Sequence, residues 1–189
     1  TSVALLCQRP VIITGSPRMK ERPVGGLVNA LNSLGGRIQY LETAGFPPLM
    51  VDGILKGGSV QVDSTVSSQF ASSLLLSAPY AESPLGLHLL PGAVSRSYLD
   101  VTVDVMKAFG VPVEREGQDH FLVHPGKRYC GREYLVEGDY SSASYFFSIA
   151  AVCGGRARVS SLSPGSVQGD RQFLDALAAM GCRVSCSDD

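Results

Sequence analysis

Apolar and polar positions along the chain return in the same phase three times. The segments LVNALNSLGGRIQYLE from Leu27, VTVDVMKAFGVPVERE from Val101 and FLDALAAMGCRVSCSD from Phe173 each open with apolar residues at helical spacing. Each then meets a glycine and continues in two-residue alternation. The pattern predicts an amphipathic helix, a glycine stop and a strand in each. Gly35, Gly110 and Gly181 hold the equivalent place, 75 and 71 residues apart. There the chain leaves a helix through a left-handed conformation that only glycine adopts without steric cost.

A second pair of segments keeps nearly the same period. SSQFASSLLLSAP from Ser67 and SSASYFFSIAAVCGG from Ser141 start 74 residues apart, and each sets two serines before a nearly uncharged apolar helix. A module of roughly 70 residues with two helices and several strands therefore recurs, longer than ordinary solenoid repeats. The glycine-stopped helices carry polar groups such as Asn29, Asn32, Asp104, Lys107, Arg171 and Asp175, so each is expected to keep a wet face. The serine-led helices carry no charge and are expected to be buried on most sides. Helices inside and sheets outside is the arrangement that follows. RIQYLE, GLHLL and HFLVH read as strands, and GFPPLMVDG, LLPGAVSRS, HPGKRY and LSPGSVQGD as turns or loops.

Composition narrows the class. The 189 residues are 44% hydrophobic and 17% charged, enough for a packed core, with a formal charge of −1. That balance gives no global attraction for nucleic acid or an anionic membrane, so an anionic ligand must be held by a local cluster. Five cysteines, Cys7, Cys130, Cys153, Cys182 and Cys186, lack CxxC spacing. They imply neither a disulfide framework nor a metal site, and a reducing compartment is expected. Cys182, Val184 and Cys186 fall on one face of the strand predicted in GCRVSCS and are expected to be core residues. No basic leader opens the chain and no stretch nears the roughly 20 apolar residues of a membrane span. The start at Thr1 reads as an entry partway through an α/β unit, and a fragment is expected.

The polar triplet Ser67, Ser68 and Gln69 opens one of the uncharged helices. If Ser67 caps it, the helix runs through Ala78 and ends before Pro79, with Phe70, Leu74 and Ala78 in one row and Gln69, Ser73 and Ser77 in a polar row beside it. Gln69 stands two residues after the cap, whereas a capping box needs three, so its amide is left for another partner. A helix start offers free N–H groups to phosphate or carboxylate. Serine is also the commonest cap, and the triplet alone leaves both roles open. Basic groups that could complete an anion site are Arg18, Lys20 and Arg22, and Arg96 between Ser95 and Ser97. His88, His120 and His124 lie on or beside strands, without catalytic or metal spacing.

Taken together, RMKERPVGGLVNALNSLGGRIQYLE, FPPLMVDG, GGSVQVDSTVSSQFASSLLLSAP, VSRSYLDVTVDVMKAFGV, YLVEGDYSSASYFFSIAAVCGG and SVQGDRQFLDALAAMGCRV stand in the order and spacing of a known family. The chain resembles the 5-enolpyruvylshikimate-3-phosphate synthases along essentially its whole length. The resemblance implies two domains of repeated βαβαββ units, with helices inside and sheets outside, the enolpyruvyl transferase fold. It implies transfer of the enolpyruvyl group of phosphoenolpyruvate to the 5-hydroxyl of shikimate 3-phosphate, in chorismate synthesis in the cytoplasm, with no cofactor and no metal.

Carried over by position, Ser67, Ser68, Gln69, Ser95 and Tyr98 are the implied shikimate 3-phosphate contacts, and Arg22 with Gln69 the implied phosphoenolpyruvate contacts. Here SRSY stands in place of the commoner Ser-Lys-Pro-Tyr. The family's acid/base groups and remaining cations fall outside these residues, so no catalytic residue is expected in this chain. Residues 1–137 correspond to most of a first domain and 138–189 to the start of a unit of the second; the remainder of the enzyme would complete the site. A UDP-N-acetylglucosamine enolpyruvyl transferase or a non-catalytic α/β repeat binding module are the alternative readings.

Overall fold

The alternation read from the sequence becomes single-sided sheets. In the computed structural model, residues 1–63, 67–91 and 96–187 are described. They divide into two units, Thr1–Gly131 and Arg132–Asp189.

The first unit contains two sheets. One has the order β1-β3-β2, from β1 (Val11–Ile13), β2 (Gly36–Tyr40) and β3 (Leu49–Gly53). The other has the order β4-β5-β7-β6, from β4 (Gly58–Val62), β5 (Leu85–Leu89), β6 (Glu114–Glu116) and β7 (His120–Val123). Four helices accompany them: α1 (Pro17–Lys20), α2 (Gly25–Ser33), α3 (Gln69–Ser77) and α4 (Ser97–Ala108).

The second sheet is a complete βαβαββ unit: β4, α3, β5, α4, then the β6–β7 hairpin. The first sheet repeats its latter part, because β1, α2, β2 and β3 follow the plan of β5, α4, β6 and β7. In both, the strand before the helix pairs antiparallel with the second strand of the hairpin after it. The sequence period is thus a structural period. Both joints are made by the expected glycines, Gly35 at φ 103° and Gly110 at φ 89°. After α4, Gly110 N–H donates to the Lys107 carbonyl at 3.0 Å and Val111 N–H to the Met106 carbonyl at 2.9 Å. These bonds satisfy carbonyls that the helix end leaves free.

One face of each sheet is covered and the other is wet. In β5, Leu85, Leu87 and Leu89 are buried while Gly86 and His88 are partly exposed. The core joins these leucines to Leu27, Val28 and Leu31 of α2 and to Phe70, Ala71, Leu74 and Leu75 of α3. The helices therefore lie inside. The stretch GFPPLMVDG, expected to be a loop, supplies β3, the central strand of the first sheet. Its prolines hide the LMVDG run that follows, whose Leu49 and Val51 are fully buried. The tail after β7 returns to α3, where the Tyr129 hydroxyl donates to the Leu76 carbonyl at 3.0 Å. Burial, with Tyr80 nearby, pushes the Tyr129 pKa up to about 12.

The second unit holds α5 (Tyr140–Cys153) and α6 (Gln172–Ala179), and no strand is assigned among its described residues. Two expectations fail here. GCRVSCS is not a strand after α6, and instead of core residues Cys182 is half-buried, Cys186 exposed and Val184 partly exposed. A strand needs a neighbouring strand to form a ladder, and no strand is assigned in this unit among the described residues. The uncharged α5 is not buried on most sides either: Tyr145 is 72%, Ile149 60% and Val152 85% exposed. Only Tyr140 and Ala143 of this helix are buried.

Two substitutions separate the units. Leu74→Ala empties a fully buried position and is expected to cost about 2–5 kcal/mol of first-unit stability in urea denaturation. Ile149→Ala on exposed α5 is expected to leave that transition in place; a shift comparable to that of Leu74→Ala would contradict the division.

Candidate functional site

Strands β4 and β5 are parallel, with Val62 opposite Leu89 at their C-terminal ends. Leu90 N–H donates to the Val62 carbonyl at 3.0 Å, so the two strands finish side by side. The connections to α3 and α4 leave from this edge, the place where open α/β sheets bind ligands. Ser67, Ser68 and Gln69 end the first connection and Tyr98 lies in the first turn of α4, after the second. Ser95 and residues 64–66 lie outside the described residues.

The start of α3 differs from the expectation by a short shift. Gln69 is the first helical residue and Ser77 the last, and Ala78–Tyr80 continue as a 3-10 turn through Pro79. The N-cap is Ser68 and not the expected Ser67, whose hydroxyl accepts from Gln69 N–H at 3.2 Å from one residue before the cap. Ser68 is buried and Gln69 is exposed. Neither side chain has a hydrogen bond to another described residue. Tyr98 is 57% exposed.

The rest of α3 is held by hydroxyls. Ser72 Oγ bonds Thr102 Oγ1 of α4 at 2.8 Å, and Thr102 Oγ1 donates to the Tyr98 carbonyl at 2.8 Å. This chain ties the beginning of α4 to α3. On another side Ser73 Oγ bonds Ser2 Oγ at 2.6 Å, and Ser77 Oγ donates to the carbonyls of Ser73 and Leu74. The row Gln69, Ser73, Ser77 is therefore mostly interior, each hydroxyl having a partner that compensates its burial.

Of the basic residues proposed to complete an anion site, three are already engaged. Arg18 pairs with Glu21 at 3.0 Å, Lys20 with Glu42 at 2.9 Å, and Arg96 with Asp119 at 2.9 Å and with Gln118 Oε1 at 2.8 Å. Arg22 is exposed and has no ion pair or side-chain hydrogen bond to another described residue. It precedes α2, whose start lies against that of α3: a methyl group at Gly26 would stand 3.5 Å from Phe70 Cε2. The beginnings of two helices, an exposed arginine, a buried serine hydroxyl and an exposed amide thus lie in neighbouring segments. Convergent N–H groups and a guanidinium suit phosphate and carboxylate.

The second unit shows why VEGDYSS and QGD occur together. Gln168 Nε2 donates to Glu137 Oε1 and to the Gly138 carbonyl, each at 2.9 Å, while Gln168 Oε1 accepts Tyr140 N–H at 2.9 Å. Ser141 Oγ donates to Asp170. The two motifs are one hydrogen-bonded clasp across 28 residues of chain, which sequence reading paired by resemblance alone. The serines also differ from their counterparts before α3, because they lie inside the first turn of α5. Asp139 is the cap, accepting from Ser141 N–H at 3.0 Å and Ser142 N–H at 3.1 Å. A carboxylate cap uses both oxygens, so a serine is not needed there.

Elsewhere, a surface depression of about 550 Å³ is lined by Cys7, Gln8, Arg37, Asp52, Ile54 and Lys56 among others, and includes none of the expected binding residues. Among the described residues no group of three or more His, Cys, Asp or Glu could hold a metal, and no helix is long and apolar enough to cross a membrane.

The architecture defines a repeated α/β protein in which two parallel strands end beside the start of a buried helix. Comparison with known proteins gives the family. A model described as EPSP synthase (3-phosphoshikimate 1-carboxyvinyltransferase) matches residues 2–189, and the chain belongs to that family. It is 58% identical over 189 residues to the 3-phosphoshikimate 1-carboxyvinyltransferase of Methanoculleus marisnigri, covering all of this chain and 45% of that protein. It is 45% identical to the one from Aliivibrio salmonicida, covering 98% of this chain and 44% of that protein. An EPSP synthase structure from Acinetobacter baumannii superposes with a TM-score of 0.68 at 26% identity, over 79% of this chain and 32% of that one. The chain therefore spans a little under half the length of the curated relatives it matches.

The Asp139 cap makes a pH prediction. The Ser142 hydroxyl, then the Ser141 and Ser142 N–H groups, hold its carboxyl below the usual range against an opposing effect of burial. A lowered folded value means the cap stabilises α5 fully above the ordinary carboxylate range and fades as acid carries the pH through the lowered value. Amide exchange at Ser141 and Ser142 is expected to quicken on acidification beyond the intrinsic pH trend, and to be unprotected at every pH in Asp139→Ala. Protection indifferent to acid would contradict the role of the carboxylate.

Proposed function

We propose that the protein to which this chain belongs transfers the enolpyruvyl group of phosphoenolpyruvate to the 5-hydroxyl of shikimate 3-phosphate, releasing phosphate. The observation that carries the proposal is the placement of the Ser67–Gln69 helix start after the first of two parallel strands and against the start of α2, which Arg22 precedes, in a chain of this family.

In this reading the Ser67 and Ser68 hydroxyls, with the first N–H groups of α3, receive the sugar-acid phosphate. Ser95 is a second phosphate ligand. Tyr98, exposed in the first turn of α4, lines the ring, and the Gln69 amide reaches toward both substrates. Arg22 grips the anionic groups of phosphoenolpyruvate through the planar fork of its guanidinium. The 5-hydroxyl oxygen gives up its proton and bonds to the enol carbon of phosphoenolpyruvate while the methylene carbon takes up a proton and the C=C bond becomes single, giving a tetrahedral intermediate. The C–O bond to phosphate then breaks as a methyl proton leaves. The proton carriers for these steps belong to the remainder of the protein, and this chain binds and orients. Both substrates are charged metabolites, and the cytoplasm is the compartment that suits them.

The domain reading follows the same logic. Residues 1–137 form most of a first domain and 138–189 the start of a unit of a second, a division supported by the change of unit at Gly131. The bare apolar side of α5, with Tyr145, Ile149 and Val152 exposed, is a surface that another part of the protein would cover.

Two outcomes test the reading. The 189-residue chain alone is expected to form no enolpyruvyl product in a coupled phosphate-release assay, and measurable turnover would refute its dependence on the remainder. In the protein of full family length, Gln69→Ala is expected to weaken shikimate 3-phosphate binding by about 1–3 kcal/mol in calorimetry, the cost of a lost buried polar contact. Unchanged affinity would reduce the triplet to a helix cap.

A further inference from the structure

The three histidines of the chain, His88, His120 and His124, are not among the residues assigned to the proposed reaction. The sequence separates them, but the second sheet brings two of them together. His88 on β5 is the register partner of His120 on β7. Their inward neighbours Leu87, Leu89 and Phe121 are buried, so both imidazoles stand on the wet face. The rings meet edge to face with centroids 4.4 Å apart. Gly86, two residues before His88 on the same face, adds no side chain of its own; a methyl group there would just touch Ser59 Oγ at 3.8 Å and His88 Nε2 at 4.0 Å.

The same row continues across the sheet. Gln61 on β4 is the partner of His88, and Glu116 on β6 is the partner of His120. The cation nearest in sequence to Glu116, Arg115, points the other way, over the Phe121 ring and paired with Asp100. His124 is engaged separately, with Nε2 3.2 Å from Glu114 Oε1. Neither His88 nor His120 has a hydrogen bond or ion pair to another described residue, so their ring nitrogens are available.

We propose that His88 and His120 form a two-imidazole site for one divalent transition-metal ion of the zinc, nickel or copper class, on the solvent face of the second sheet. Imidazole nitrogen is a preferred donor for these ions, at about 2.0–2.1 Å from zinc. Turning the two exposed side chains about χ1 and χ2 directs one nitrogen of each ring to a shared point above the strands. Water completes the coordination, and the Glu116 carboxylate adds favourable charge without being required as a ligand. The site lies on the face of the sheet opposite the helices that carry the substrate residues, so it is independent of the reaction.

The test is a calorimetric titration of the full chain with Ni²⁺, its cysteines carbamidomethylated so that thiolates cannot compete. One ion per chain is expected, with affinity falling at least tenfold in His88→Gln and in His120→Gln. His124→Gln is expected to bind as the unchanged chain does. Thermal melting of each variant checks that the fold is kept, which is expected for side chains on a wet face. Absence of saturable binding, or binding indifferent to both His88→Gln and His120→Gln, would overturn the proposal.

Discussion

The burial of α3 is the constraint on which the first unit depends. A helix enclosed by a neighbouring helix, a sheet and the chain's opening turn cannot carry charge, because an unpaired charge away from water costs far more than the packing returns. Its polarity is therefore reduced to serine hydroxyls, and each interior one is bonded: Ser72 to Thr102, Ser73 to Ser2, Ser77 to the preceding turn. These bonds fix the helix in rotation and along its axis. The consequence appears at its first turn, where the backbone start and Ser67, Ser68 and Gln69 are held at the edge of β4 and β5 by the packing behind them.

Much of this plan was legible in the chain. Helical spacing ending at glycine, then alternation, located α2 with β2 and α4 with its hairpin, because glycine caps and one-sided sheets are local consequences of local sequence. The uncharged run located α3 for the same reason. Less visible were contacts made by topology. β3 was hidden behind two prolines, and its place at the centre of a sheet is set by partners on both sides. The engagement of Lys20 with Glu42 and of Arg96 with Asp119 joins residues more than 20 positions apart, so sequence could name the cations but not tell which was free. The meeting of His88 with His120 is hidden for the same reason.

The second unit shows the opposite case, in which local signals are right and tertiary consequences differ. α5 and α6 form where helical spacing put them, and Gly181 ends α6 at φ 95° as expected. Alternation in GCRVSCS does not become a strand, because alternation states which face would be buried and cannot supply a ladder. Uncharged α5 likewise carries the composition of an interior helix while its Tyr145, Ile149 and Val152 stay open. Such a surface is expected of a piece whose covering layer comes from elsewhere in a longer protein, consistent with a chain spanning 45% of its relatives.

The central claim, that the start of α3 receives the phosphorylated acceptor, is tested most directly by residue-resolved NMR of the 189-residue chain titrated with shikimate 3-phosphate. The account predicts saturable shifts at the Ser68 and Gln69 amides, with α5 and α6 unchanged. Shifts confined to another surface, such as the depression beside Arg37 and Lys56, with the α3 start silent at saturation, would contradict it.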